Sequence, residues 1–281
     1  MKVKKFEIWY WNGQVYRKTG PSLLSWKSNG IKSHIWYKNT ILQHPTRNLP
    51  FTRKGGPCSV KYNSIWIKIK HKIDGPAEII WDEKGNIITK KWYLNGYLHN
   101  DNGAAIIEWY KHGAKKSKEW YKKGKLHREK APAKIMMYGC MVINHWYLEG
   151  KRHREDGPAI TGFMKTIKCK DKTHLKYELW YLHGRLHRVD GPAKTEHDSS
   201  TTVQLWYLEG NLHRADGPAC TYWSRGGIKD EESWYMNGKL HRVGGPAETL
   251  WYDNGSIDEE NWYWKGNKII EWETTSHRGT I

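Results

Sequence analysis

Residues 146–159 read Trp-Tyr-Leu-Glu-Gly-Lys-Arg-His-Arg-Glu-Asp-Gly-Pro-Ala, and close copies of this stretch begin at Trp180, Trp206 and Trp234. The shared template is W-Y-x-x-G-x-L-H-R-x-D-G-P-A. Weaker, eroded or truncated copies begin at Trp9, Trp36, Trp66, Trp92, Trp120 and Trp262. From the first to the last of these starts, nine intervals cover 262 − 9 = 253 residues, which makes the mean repeat about 28 residues long. A period of this length predicts a repeat architecture.

A second, shorter motif lies about eleven residues before each following Trp-Tyr pair, as in 81–85 (Trp-Asp-Glu-Lys-Gly) and 251–255 (Trp-Tyr-Asp-Asn-Gly). Glycine after a polar residue supplies the positive φ of a tight hairpin turn. Between the turns, alternate residues such as Ala247, Thr249 and Trp251 share one face of an extended chain. Each repeat is therefore predicted to be two antiparallel strands. The second is expected to be long and kinked at Asp-Gly-Pro-Ala, because proline donates no ladder hydrogen bond.

The predicted fold class is all-β, an elongated single-layer antiparallel β-meander solenoid of about ten two-strand repeats. Stacking on neighbouring repeats would bury what a single unit cannot bury alone. We predict one continuous solenoid over 1–281, with eroded N-terminal repeats or a cap at 1–91, regular repeats at 92–261 and a truncated C-terminal repeat or cap at 262–281. The long interval between Trp146 and Trp180 suggests a loop insertion.

The composition is basic and unusually rich in tryptophan and tyrosine. The chain of 281 residues has 47 Lys+Arg against 29 Asp+Glu, with 18 Trp, 17 Tyr and 3 Phe. Residues 1–140 carry 28 − 9 = +19, whereas residues 141–281 carry 19 − 20 = −1. This asymmetry favours an acidic partner, such as nucleic acid or an anionic surface. No apolar run is long enough for a spanning helix, and no secretory signal is expected.

The four cysteines are widely spaced and include no Cys-x-x-Cys pair, which argues against a zinc cluster and a dense disulfide framework. A reducing compartment is the expectation from this spacing. We predict cytoplasmic localisation.

The repeated residues form ladders along the chain, and we interpret these ladders as structural. Arginine is expected to pair with the aspartate two residues on, along one face of an extended strand. The histidines are too widely spaced to share a metal ion, so we expect them to stack on aromatic rings or to bond the adjacent turn, and we predict no metal and no cofactor. A pH-dependent change in stiffness remains an alternative. The tryptophans are either a structural stack on a partly wet face or a ligand platform. The ladder residues are Trp146, Trp180, Trp206, Trp234, His153, His187, His213, His241, Arg154, Arg188, Arg214, Asp156, Asp190 and Asp216.

One segment, 114–130, interleaves basic side chains with Trp120 and Tyr121. Such a pattern suits a surface that follows phosphates and stacks on bases. The alternative is a solvated face whose edge lysines prevent aggregation of sheets. Lys116, Lys118 and Lys122 are expected to share the Trp120 face. The candidate residues for binding an anionic partner are Lys115, Lys116, Lys118, Lys122, Lys123, Lys125, Arg128 and Lys130.

The kernel Tyr-x-x-Gly-x-x-His, as in 181–187 and 235–241, resembles the MORN repeat. The longer W-Y-x-N-G-K-x-H-R-x-D-G-P-A form is similar to MORN-variant repeat proteins of large DNA viruses and phages. The resemblance covers nearly the whole chain and implies a β-hairpin stack that serves as a scaffold, a dimerisation surface or an anionic-lipid contact, without activity of its own. It departs from MORN in having arginine, such as Arg188, where MORN has a second glycine.

These observations predict a non-enzymatic structural or interaction scaffold that mediates protein–protein assembly, through a protein partner or self-association. The alternative is sequence-independent binding of nucleic acid, or of an anionic surface, through the basic N-terminal half. A membrane surface is a weaker candidate partner, and no small-molecule substrate is expected. The His-Arg-x-Asp unit differs from the kinase His-Arg-Asp loop, because it recurs and leads each time into Gly-Pro or its remnant. We therefore predict no catalytic residues.

Overall fold

A computed structural model describes residue 72, residues 74–164, 176–198 and 200–269, and the strand segments between Phe6 and Lys70 that are given below. Every regular element in this part of the chain is a β-strand. The chain divides into two compact units, Met1–Lys125 and Leu126–Ile281. This division differs from the predicted boundaries at 91/92 and 261/262, and the prediction of a single solenoid stays a prediction.

The first unit contains fourteen complete strands. They are β1 (Phe6–Ile8), β2 (Tyr10–Trp11), β3 (Gln14–Val15), β4 (Leu23–Trp26), β5 (Lys32–Ile35), β6 (Tyr37–Leu42), β7 (Ile65–Lys70), β8 (Glu78–Trp81), β9 (Ile87–Lys91), β10 (Tyr93–Leu94), β11 (Tyr97–Leu98), β12 (Ile106–Trp109), β13 (Lys115–Glu119) and β14 (Tyr121–Lys122). Strand β15 (Lys125–Leu126) contains the division between the units.

The second unit contains the remaining strands. They are β16 (Lys134–Tyr138), β17 (Met141–His145), β18 (Tyr147–Leu148), β19 (Lys151–Arg152), β20 (Ile160–Met164), β21 (Lys176–Leu179), β22 (Tyr181–Leu182), β23 (Arg185–Leu186), β24 (Lys194–His197), β25 (Thr202–Leu205), β26 (Tyr207–Leu208), β27 (Asn211–Leu212), β28 (Cys220–Trp223), β29 (Lys229–Ser233), β30 (Tyr235–Met236), β31 (Lys239–Leu240), β32 (Glu248–Trp251), β33 (Ile257–Asn261), β34 (Tyr263–Trp264) and β35 (Asn267–Lys268).

Within each unit the longer strands form a single antiparallel layer in which neighbours in the sheet follow one another along the chain. In the first unit the order is β1-β4-β5-β8-β9-β12-β13. In the second unit it is β16-β17-β20-β21-β24-β25-β28-β29-β32-β33. The predicted fold class, an all-β single-layer antiparallel meander with two sheet strands per repeat, is confirmed.

The W-Y-x-x-G stretch builds a small hairpin that the sequence analysis did not predict. In one repeat, β18 and β19 pair Tyr147 with Arg152 across a two-residue loop. The loop residues Glu149 and Gly150 both have positive φ, 49° and 84°, which is the type I′ geometry of two-residue hairpins. The second strand was predicted to be long and kinked, and this prediction is wrong. A two-residue strand comes first, and the sheet resumes at Ile160, after the proline segment.

Neighbouring small hairpins are joined by backbone hydrogen bonds between repeats. Gly184 N–H donates to the Arg152 carbonyl at 2.8 Å, and Arg154 N–H donates to the Tyr181 carbonyl at 3.1 Å. Equivalent glycine bonds run from Gly96 to Lys70, Gly124 to Leu98, Gly150 to Leu126, Gly210 to Leu186, Gly238 to Leu212 and Gly266 to Leu240. The hairpins thus form a second hydrogen-bonded row within each unit.

The second, shorter motif forms the tight turns that were predicted for it. At residues 82–86, Asp82 N–H donates to the Asn86 carbonyl at 2.8 Å and Gly85 has a φ of 87°. The strand register shifts at the aromatic residue before the turn, as at Trp81 and Trp251. Such a bulge increases the local twist of the strand.

The core is thin and is centred on alanine. The alanine that ends each template is fully buried, at 0% exposure, at Ala77, Ala105, Ala133, Ala159, Ala193, Ala219 and Ala247. In the described part of the chain, the largest side chain with less than 2% exposure is that of Ser233. The carbonyl of Ala193 accepts the Trp180 N–H at 2.7 Å, so the alanine lies where the sheet and the hairpin row meet. Stability must therefore depend heavily on hydrogen bonds and aromatic contacts rather than on large buried side chains.

Candidate functional site

The repeated His-Arg-x-Asp-Gly-Pro stretch folds into a compact cluster, which we call the arginine clamp. In the repeat that starts at Trp206, the Arg214 guanidinium lies 3.9 Å from the centroid of the Trp206 ring. It also lies against Gly217, where a Cβ atom added to the glycine would be 2.6 Å from Arg214 Cζ. A residue with any side chain would displace the guanidinium, which explains the glycine of the template. The same stack is formed by Arg154 on Trp146, Arg188 on Trp180 and Arg242 on Trp234.

The polar atoms of the clamp arginine are also bonded within the repeat. Arg214 Nε donates to Asp216 Oδ1 at 3.0 Å, and a terminal nitrogen donates to the Pro218 carbonyl at 3.4 Å. The hydrogen bond from arginine lowers the pKa of Asp216. Equivalent pairs join Arg154 to Asp156 and Arg188 to Asp190, and the pKa of each aspartate is lowered for the same reason.

The predicted arginine–aspartate pairing is therefore confirmed, but its predicted position on an extended strand is wrong. The paired residues lie in the non-strand segment before the alanine, not on an extended strand. They are held there by the proline carbonyl and the tryptophan ring, which the sequence analysis did not connect to the arginine.

The histidine ladder joins one repeat to the next. His153 Nδ1 accepts the backbone N–H of His183 at 3.2 Å, across 30 positions of sequence. Because the backbone N–H is the donor, Nδ1 must be unprotonated to make this bond. The prediction that these histidines bond the adjacent turn is confirmed. Equivalent bonds, in which a histidine Nδ1 accepts a backbone N–H from the next repeat, join His99 to Lys123, His127 to Glu149, His187 to Glu209, His213 to Asn237 and His241 to Lys265. In the described residues, no group of three or more His, Cys, Asp or Glu side chains could hold a metal ion.

The tryptophans of the ladder are half-buried, and Trp180 Nε1 is itself buried without a hydrogen-bond partner among the described residues, so the partly wet face stays a prediction. One indole in the described part reaches a neighbouring carboxylate, where Trp234 Nε1 lies 3.5 Å from Glu232 Oε1. Since the clamp arginine packs against each indole, the structural stack is favoured over the ligand platform. In each unit, we call the side of the sheet that carries the residue two positions before the repeat tryptophan, such as Lys118 or Glu232, the Trp face.

The opposite side, the Tyr face, carries the tyrosines of the hairpin row. Tyr121 Oη donates to Glu119 Oε2 at 2.9 Å. Burial raises the pKa of Tyr207 and of Tyr235, and the neighbouring Cys220 adds to both shifts. The Tyr face is therefore largely occupied by the protein's own side chains.

The Trp face has a central row of cross-strand neighbours whose chemistry differs between the units. In the first unit, Ile107 pairs with Lys90 on one side and with Lys118 on the other. In the second unit, Thr249 pairs with Glu232 and Glu260. The longer row of the second unit is Asn144, Thr161, Glu178, Thr195, Gln204, Thr221, Glu232, Thr249 and Glu260. In the first unit, the strands on either side of Ile107 carry lysine in this row. In the second unit, every second strand carries a carboxylate or amide side chain in this row.

The basic candidates do not form one uniform surface. Lys118 pairs with Ile107 on the Trp face, whereas the strand register shifts at Lys116. Lys116 Nζ is 3.4 Å from Glu108 Oε2, which also accepts the Ser117 hydroxyl at 3.2 Å, so the prediction that Lys116 shares the Trp120 face stays a prediction. Lys122 belongs to the small hairpin rather than to β13, and the prediction that it shares the Trp120 face stays a prediction. The backbone N–H of Lys123 donates to His99, and Lys115, Lys122, Lys123, Lys125 and Lys130 are exposed.

Arg128 has a structural role that the sequence analysis did not assign to it. Its terminal nitrogen donates to the Pro132 carbonyl at 3.3 Å, and burial lowers its pKa. It is therefore the clamp arginine of its own repeat rather than a free cation for a partner.

Two cysteines fall within the described residues, and their states differ. Cys220 is a buried free thiol at 6% exposure, and burial raises its pKa to about 12. Cys140 is disulfide-bonded, and one bonded cysteine among the described residues is not the dense framework against which the cysteine spacing argued. Cys58 and Cys169 lie outside the described residues.

Comparison with known proteins gives no family for this chain: no family model matches it, and no curated protein matches it. The described residues contain no candidate for a membrane-spanning helix.

Proposed function

We propose that this chain is a non-enzymatic, MORN-like scaffold that mediates protein–protein assembly, including self-association. One observation carries this proposal: the residues that recur most strictly are used inside the chain. Arg214 is engaged by Trp206, Asp216 and Pro218. A motif that maintains the repeat leaves the variable side chains of the Trp face for recognition of a partner.

The resemblance to viral MORN-variant repeats supports a setting in the virion or the host cytoplasm. A single-layer sheet suits such a role, because its faces are not buried by a second layer of the same fold. We therefore expect the biological activity to be binding rather than chemistry.

Sedimentation velocity of the full chain tests the scaffold proposal. We expect the weight-average sedimentation coefficient to rise over a roughly hundredfold range of protein concentration, because association follows mass action. A chain that stays monomeric over this range, at both low and physiological salt, would contradict the proposal.

The second candidate function is sequence-independent binding of nucleic acid by the first unit. That unit carries 25 Lys+Arg and 8 Asp+Glu, a net charge of 25 − 8 = +17, against 22 − 21 = +1 for the second unit. Lys90 Nζ lies 5.9 Å from the Trp109 ring, which places a cation beside an aromatic surface.

Binding of random duplex and single-stranded DNA, measured at about 50 and 200 mM salt, tests this second candidate. A steep loss of affinity with salt, with quenching of tryptophan fluorescence by single strands, is the expected result. Absence of binding at low salt would exclude it.

A further inference from the structure

We propose that two copies of this chain associate through their Trp faces, with Lys90 and Lys118 of one copy against Glu232 and Glu260 of another. This inference rests on the proposed scaffold function and names the surface that performs it. The partner is a second copy because each chain carries both halves of the contact.

The first argument is the equal spacing of the two charged pairs. Lys90 and Lys118 both neighbour Ile107, so one strand lies between them. Glu232 and Glu260 both neighbour Thr249 in the same way. Strands in a sheet lie about 4.8 Å apart, so each pair is separated by about 9–10 Å at the backbone. The two lysines of one row can therefore meet the two glutamates of the other, above Thr249, which is only 4% exposed.

The second argument is the complementary charge and its accessibility. Glu260 is exposed, and Lys90 and Lys118 are half-buried on the Trp face, where Lys90 Nζ lies 5.9 Å from the Trp109 ring and Lys118 also interacts with another group of the chain. Glu232 has a side chain 14% exposed, and its Oε2 is already 2.7 Å from Lys229 Nζ. Because Lys229 is itself 44% exposed, it can move aside or share the carboxylate when a lysine of another copy approaches.

The third argument concerns the residue between the charges. Ile107 is half-buried, and contact with another protein surface would remove its remaining apolar surface from water. A phosphate backbone would leave that surface hydrated. Two sheet faces commonly pack at about 10 Å with their strands nearly aligned. A second copy therefore fits the whole Lys-Ile-Lys row better than nucleic acid does.

Each chain carries one lysine row and one glutamate row, so the contact can form twice in a reciprocal pair or once with each of two other copies. Association is expected to be salt-sensitive, because opposite charges across an interface act mainly through attraction that salt screens.

The test is a charge-reversal exchange in the full chain, followed by sedimentation velocity. One variant carries Lys90→Glu and Lys118→Glu, and the other carries Glu232→Lys and Glu260→Lys. Each alone brings like charges together, and we expect association to weaken roughly tenfold or more. In an equimolar mixture, every contact between the two variants brings opposite charges together, so association should return to within about threefold of the original chain.

Matched controls reverse charges away from the Trp-face row. The control for the lysine variant combines Lys84→Glu with Lys111→Glu, at two exposed turn residues. The control for the glutamate variant combines Glu209→Lys with Asp253→Lys, which are also exposed turn residues. Neither control should alter association by more than about twofold, since surface charges outside a contact act only through screened fields. Circular dichroism and thermal melting verify folding. If Glu232→Lys does not fold beside Lys229, Glu260→Lys alone, at an exposed position, replaces the acidic variant.

The outcomes separate this inference from the scaffold proposal. Association that persists unchanged in both variants, or a mixture that does not recover, overturns the Trp-face contact and leaves the scaffold proposal standing. An original chain that never associates overturns both. If the Lys90→Glu and Lys118→Glu variant loses DNA binding but not self-association, the lysine row is a nucleic-acid surface and the inference is wrong.

Discussion

Replacing Arg214 with alanine should destabilise the second unit by about 2–3 kcal/mol. The cation–π contact with Trp206, at 3.9 Å from the ring centroid, contributes about 1–2 kcal/mol for a partly desolvated pair. The hydrogen bond to the Pro218 carbonyl, at 3.4 Å, contributes about 1 kcal/mol. The Asp216 pair is left out because that side chain is 82% exposed and water screens the interaction. The backbone bond from Arg214 N–H to Tyr235 is retained in the variant.

The assay is urea unfolding followed by tryptophan fluorescence and circular dichroism. Repeat arrays can unfold in stages, so the free energy is compared only where both probes coincide and the denaturant slope is unchanged. Arg225→Ala is the matched control, since Arg225 is exposed in a turn, and it should cost less than about 0.5 kcal/mol. An Arg214→Ala loss no larger than that of the control would refute the clamp as a source of stability.

Further expectations follow from the clamp and the buried thiol. Gly191→Ala should cost about 1–3 kcal/mol in urea unfolding, because the new Cβ would lie 2.6 Å from Arg188 Cζ, and most of that cost should vanish in an Arg188→Ala background. Since arginine lowers the pKa of Asp156, Asp190 and Asp216 in the fold, their contribution is present above the ordinary carboxyl pKa and is lost as pH falls through the lowered value. Replacing all three aspartates with asparagine should flatten the acid limb of stability against pH, and an unchanged limb would count against these pairs. Burial raises the pKa of the Cys220 thiol to about 12 in the folded chain. Keeping this thiol neutral therefore contributes to the free energy of unfolding below about pH 9, and the contribution is lost as the pH rises toward 12. Peptide mapping after treatment with a thiol reagent near neutral pH should show labelling of Cys220 only as the chain unfolds, and rapid labelling of the folded chain would contradict its burial.

The sequence was enough to predict the repeat, the strand periodicity and the tight turns, because each depends on residues that are close together along the chain. Alternation of side chains along Ala247, Thr249 and Trp251 reflects the two-residue period of any strand. The turn at 82–86 follows from a glycine after a polar residue. The arginine–aspartate pairing could be predicted for the same reason, since its members are two residues apart.

The small hairpins were missed because their signal is weak at several loop positions. Asn237-Gly238 has the side chains that a type I′ loop favours, but Glu149-Gly150 places an ordinary residue at a φ of 49°. The inter-repeat bond from Gly184 to Arg152 helps to hold this geometry, and local propensity does not report such a bond.

The amino-acid order was sufficient for the all-β repeat architecture, since the periods of two and about 28 residues need no knowledge of distant contacts. It could not show that His153 meets the turn at His183, or that Lys90 and Lys118 flank Ile107 on one face. These relations depend on the register between strands, and a shift of one residue would move every side chain to the opposite face. Register is set by the hairpins and the arginine clamps acting together, so the charge pattern of the Trp face emerges only when the repeats are assembled.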